Sequence, residues 1–100
     1  MSNQFVFQGT VSALEVKTTQ KGKQFATFTL QSQEEGYQGA VKHIFVKMTG
    51  FGEAGSRVIQ AGEGAELMVK GKIESREWQG KHYVDLKAME VAEVGDELPF

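Results

Sequence analysis

The stretch from Leu67 to Leu86, LMVKGKIESREWQGKHYVDL, constrains this chain more than any other. It reads as two long strands folded back on each other at Gln79-Gly80. In the first arm Leu67, Val69, Gly71 and Ile73 alternate with Met68, Lys70, Lys72 and Glu74. The even-numbered set continues to Arg76 and Trp78. Strand side chains point to alternate faces, so one face is apolar and turns to a core while the other is cationic. The return arm, Lys81 to Met89, repeats the pattern with Val84, Leu86 and Ala88 inward. Gly80 supplies the positive φ that a tight hairpin needs. The single tryptophan, Trp78, stands near the tip on the cationic face.

Upstream, Gln4 to Val16 is a first strand region, with Phe5, Phe7 and Val11 on one face. Gly9 falls within it, a position where glycine often marks a bulge or a sharp coil. Lys17 to Lys23 is a polar turn. The second strand is Gln24 to Gln33, with Ala26, Phe28 and Leu30 inward and Phe25, Thr27 and Thr29 outward. Glu34 to Gly39 is a loop carrying Tyr37. A third strand runs from Val41 to Phe51, with Ile44, Val46 and Met48 inward. Its other face interleaves His43, Phe45, Lys47, Thr49 and Phe51. Gly52 to Gly64 is the one candidate helix; Ala54, Val58 and Ile59 give it a short apolar stripe. Its glycines limit it to a few turns plugging one end of a barrel. Strand, strand, strand, short helix, hairpin is the order of an all-β, five-stranded Greek-key barrel of OB type, with the helix between strands three and four.

One hundred residues fit one domain with its own core. The absence of cysteine excludes disulfides and a thiolate zinc site. No apolar run reaches membrane-spanning length, and Met-Ser-Asn-Gln has no leader character, so the expected location is the cytoplasm. Taken as a total, the net charge of −2 argues against a polyanion partner. Its distribution reverses that reading. Four of the 13 acidic side chains lie in the last eleven positions, which hold no Lys or Arg. The first 89 residues therefore carry 11 basic and nine acidic groups, a mildly basic body before an acidic end.

Single-stranded nucleic acid offers a charged backbone and unstacked bases, and a binder without sequence preference needs aromatic platforms beside a cationic track. Phe45, Phe51 and Trp78 are the expected platforms, with Phe25 and Tyr37 behind them. Lys23, Lys47, Lys70, Lys72 and Arg76 are the expected track. Aromatics in β-rich proteins more often fill cores, and Phe5, Phe7 and Phe28 are assigned there or to a subunit contact. Outward aromatics also suit a protein interface, so an OB-fold adaptor subunit of a replication or primosome-type complex is one alternative. A single-stranded RNA-binding barrel is another, since a 2′-OH leaves no trace here. Catalysis has little support. His43 and His82 lack metal-ligand spacing, no serine lies in a nucleophile elbow, and Gly71-Lys72 lacks the glycines of a P-loop. No cofactor and no metal are expected.

The chain ends in Gly95-Asp-Glu-Leu-Pro-Phe100. Leu98 and Phe100 are apolar in a segment too short to bury them, and Pro99 stiffens the backbone between them. Asp96, Glu97, Leu98, Pro99 and Phe100 thus form an acidic peptide with a hydrophobic hook, suited to a pocket that is apolar inside and basic at its rim.

These features together resemble the bacterial-type single-stranded DNA-binding proteins, the SSB family. The resemblance rests on Gly9-Thr10-Val11, on Phe25-Ala-Thr-Phe-Thr-Leu30, on Lys47-Met-Thr-Gly-Phe51-Gly52, on Val69 to Trp78, and on the Asp-Glu-Leu-Pro-Phe end. It implies base-stacking roles for Phe45, Phe51 and Trp78, and a looser match at Tyr37. It also implies a homo-oligomer, a dimer or tetramer. The tip, Asp96 to Phe100, would recruit replication, recombination and repair proteins. The expected division is an OB-fold DNA-binding domain over residues 1–94 and a partner-binding tip over 95–100. The family's long linker is reduced here to a few residues around Ala92–Gly95, a tether reaching little beyond the barrel. That brevity suits a minimal version carried by a phage or mobile element.

Overall fold

The computed structural model describes residues 3–95. Five strands and one helix follow in the expected order: β1 (Gln4–Thr18), β2 (Gln24–Glu35), β3 (Val41–Phe51), α1 (Gly52–Ala61), β4 (Glu66–Trp78) and β5 (Lys81–Glu93). A short 3-10 turn, Tyr37–Gly39, joins β2 to β3. The strands close a barrel in the order β1-β2-β3-β5-β4. All pairings are antiparallel except β3–β5, a parallel contact of two residue pairs that completes the closure.

The period-2 pattern of each strand decides which side chains fill the barrel. Val11, Ala26, Phe28, Leu30, Met48, Leu67, Val69, Ala88 and Val91 are buried together, with Ala54 and Val58 of the helix. Phe5 and Phe7 pack against this cluster from β1. The helix contacts β2, β3 and β5, so its apolar stripe covers that end of the barrel.

β1 serves two neighbours. Gln4 to Thr10 pairs with β4, and Thr10 to Thr18 pairs with β2. The crossover needs Gly9, because a β-carbon there would stand 2.8 Å from the Gln31 carbonyl oxygen. The bulge itself lies elsewhere. The register shifts between Ser12 and Glu15, with Ala13 at φ 51°. There the backbone N–H groups of Ala13 and Leu14 donate to the Glu63 carboxylate at 3.0 and 2.9 Å. A charged acceptor thus satisfies the donors that the bulge removes from the ladder.

The β4–β5 hairpin turns at Gln79 and Gly80, both at positive φ, the geometry of a type I′ turn. Past Ile73, whose N–H still donates to the Asn3 carbonyl, the two strands overrun the barrel as a two-stranded ribbon. This corrects the inward assignment of Val84, which is 68% exposed, and of Ile73, at 36%. They keep the inward parity, but no core lies beneath the ribbon. A second correction concerns the last strand. β5 continues to Glu93, Val91 and Ala92 are buried, and Val94 N–H still donates to the Glu66 carbonyl. Ala92 therefore belongs to the barrel and not to a linker. A register shift in β5 opposite Lys70 and Gly71 leaves Met89 unpaired and resets the parity that follows, so Val91 shares the inward face of Val69 while Ala92 pairs with Met68.

Candidate functional site

The outward faces of β2 and β3 form one surface by register. Phe25 lies opposite Phe51, Thr27 opposite Thr49, Thr29 opposite Lys47, Gln31 opposite Phe45 and Gln33 opposite His43. Phe45 is 63% exposed and Phe51 44%, while Phe25 is half-buried. Along β3, Phe45 and Phe51 are six residues apart, about 20 Å at the rise of an extended strand. The rings therefore serve separate stretches of any ligand.

Phe51 is not an open platform. Its ring stacks on Phe25 with centroids 5.1 Å apart and an interplanar angle of 22°. The Lys87 ammonium stands 5.4 Å from the same centroid. β3 lies between β2 and β5, so Phe25 and Lys87 approach the ring from opposite flanks. Phe45 is freer. Its ring partner is His43, at 6.4 Å and 24°. Trp78 is 60% exposed and has no ring contact among the described residues.

The outward face continues onto the ribbon. Lys72 lies opposite Lys87, Glu74 opposite Asp85, Arg76 opposite Tyr83 and Trp78 opposite Lys81. Arg76 is committed within the ribbon. Its Nε donates to Asp85 at 2.8 Å, and its guanidinium lies 5.0 Å from the Tyr83 ring centroid. Both partners are well exposed, so the pair contributes about 0.2–1 kcal/mol and acts mainly by orienting the side chain.

The structure thus brings together Phe25, Phe51, Lys47 and Lys72, and it adds Lys87. Phe45 extends the same face along β3, and Trp78 extends it along the ribbon. Lys23 begins the approach to β2 and is exposed beside Gln24 and Phe25. Lys70 stands apart. It points outward between Val6 of β1 and Glu90 of β5, on the β1–β4 flank. Tyr37 is 86% exposed on the 3-10 turn beyond the sheet. Asp96, Glu97, Leu98, Pro99 and Phe100 lie outside the described residues.

Sequence reasoning missed Lys87. The signal was present, because an inward Leu86 and Ala88 place Lys87 outward. Its neighbour across the closure, Thr49, is set by the parallel β3–β5 contact, which no local pattern announces.

The single-strand binding protein family model matches residues 2–94. Among solved structures, the fold is similar to the mitochondrial single-stranded DNA binding protein Rim1 from S. cerevisiae. That match has a TM-score of 0.73 at 12% identity and covers 94% of this chain and 97% of the other. No curated protein matches the sequence.

Proposed function

The chain belongs to the single-strand binding protein family, and from that premise we propose that it binds single-stranded DNA across the outward face of β2 and β3 and along the β4–β5 ribbon. The observation that supports this most is the placement of Phe45 and Trp78. Both are large exposed aromatics: Phe45 stands on a strand whose opposite face packs on the core through Val46 and Met48, and Trp78 stands on the ribbon that projects beyond the barrel. Leaving that much apolar ring in water is unfavourable unless a partner covers it. Unpaired bases are such a partner, and stacking does not depend on their identity.

The roles divide by geometry. Phe45 and Trp78 present ring faces to bases. Phe25 and Phe51 form a clamped pair, and a base reaching Phe51 displaces the Lys87 ammonium, freeing it for phosphate. Lys23, Lys47, Lys72 and Lys87 line the backbone path, with Lys70 and Arg76 as outlying contributors. Tyr37 contributes where the strand passes the β2–β3 turn. The bound strand is protected during replication, recombination or repair. Asp96 to Phe100 recruits partner proteins through an acidic, Pro-stiffened apolar tip, and the protein works in the cytoplasm as a homo-oligomer.

A titration of fluorescently labelled oligothymidylate at low salt tests this reading. Saturable binding of the full chain is expected, with quenching of the Trp78 emission. Absence of both would refute it. The same titration on a chain lacking residues 96–100 is expected to show equal or tighter binding, because the deletion removes two carboxylates and no cation. Weaker binding would assign the tip to the DNA surface instead of to protein partners.

A further inference from the structure

β1 and β2 part company at Thr10 and Gln31, where their pairing ends. Beyond that fork β1 follows β4, while β2 continues along β3 to Glu35. The space between them is a cleft of about 620 Å³, lined by Gln8, Thr10, Gln31, Ser32, Gln33 and Glu66 together with the Gly9 backbone. It has the size of a small-molecule site.

The lining is unusual in chemistry. It offers three carboxamides, two hydroxyls and one carboxylate, with no Lys, Arg or aromatic side chain. A phosphate would meet an acid and no cation there, and an apolar group would find no apolar wall. A flat, neutral ring bearing several donors and acceptors suits it. Gln8 Nε2 donates to Glu66 Oε1 at 3.2 Å, which turns the carboxylate and leaves Oε2 without a partner among the described residues. Gln31 and Gln33 lie directly opposite Phe45 and His43, so these two lining residues share the outward face with the Phe45 ring, their backbones one strand spacing of about 5 Å from β3.

The geometry points to a base-reading site: this cleft takes the hydrogen-bonding edge of one nucleobase from the strand that passes over Phe45, and Glu66 selects for bases with an amino group. The inference rests on the single-stranded DNA reading above. A carboxylate only accepts hydrogen bonds. Guanine presents a ring N–H beside an amino group, two donors that match the two carboxylate oxygens, and a carbonyl that a glutamine amide can reach. Cytosine and adenine each offer an amino group. Thymine offers one N–H flanked by two carbonyl oxygens, whose lone pairs face the carboxylate unfavourably. Unstacked bases expose these edges, which is how single strands are read elsewhere. The protein therefore has a mild base preference at one position of an otherwise indifferent track.

Competition between oligothymidylate and the same oligomer carrying one dG, measured on the full chain and on Glu66→Gln, tests this. Glu66 is exposed, so the variant keeps the fold. The unmodified protein is expected to prefer the dG oligomer about fivefold, the low end of what a bidentate base contact supplies. In Glu66→Gln that ratio falls to about one. Loss of a negative charge alone tightens both oligomers equally and leaves the ratio unchanged. Equal binding of the two oligomers by the unmodified protein, or a preference that survives in Glu66→Gln, overturns the base-reading site while leaving the DNA-binding reading intact. Failure of both oligomers to bind overturns both.

Discussion

Replacing Phe45 and Trp78 with alanine weakens binding to oligothymidylate by about 1–3 kcal/mol for each ring that carries a base. That is roughly fivefold to 150-fold apiece, and the double variant combines both losses where the two rings carry different bases. The barrel stays folded, because both side chains are exposed and neither contributes to the buried cluster. Circular dichroism and a melting curve check the fold, and anisotropy titration checks the affinity. Phe51→Ala behaves differently. Phe51 holds Phe25 and Lys87 in place, so its loss costs stability as well as affinity. Unchanged affinity in the folded double variant would remove stacking from the account.

Affinity also falls steeply with salt. Lys23, Lys47, Lys72 and Lys87 are free of ion pairs among the described residues and follow the proposed backbone path. Four neutralised phosphates give a slope of about −3 in log affinity against log salt, or roughly a thousandfold loss over a tenfold rise in salt. Lys47→Ala and Lys72→Ala each flatten that slope by about 0.7. Lys70→Ala, two residues along β4 with Glu90 rather than Lys87 opposite it, flattens the slope less. Arg76→Ala has a smaller effect than the two track lysines, because Asp85 already screens its charge. A slope near zero would mean that the cations are ordinary surface solvation.

The hairpin and the barrel order were legible because they follow from alternation, a property read along one strand. The same alternation placed Phe25, Phe45, Phe51 and Trp78 outward. It misplaced Val84 because parity gives the direction of a side chain without saying whether a core lies in that direction. The ribbon leaves the barrel near Gly71, where a β-carbon would overlap the Phe5 ring and the Lys87 carbonyl, a limit set by strands distant in sequence. Ala92 stands between acidic residues and reads as linker, yet β5 pairs through it, and the shift of register at Met89 that turns Val91 inward is announced by no local pattern. The bulge at Ala13 carries no glycine, and the group that stabilises it, Glu63, lies 50 residues away. The cleft of Gln8, Gln31 and Glu66 is assembled from three strands, and in each of them the residue looks like plain polar surface.

Amide chemical-shift mapping locates the DNA-binding surface residue by residue. On addition of oligothymidylate to the isotopically labelled full chain, shifts are expected to concentrate at Thr27, Thr49, Phe45, Phe51, Lys87 and Trp78. Helix α1 and the Val6 flank of β1 stay unmoved. Shifts confined to α1 or to the Val6 flank, with the β2–β3 face silent, would contradict the proposed surface.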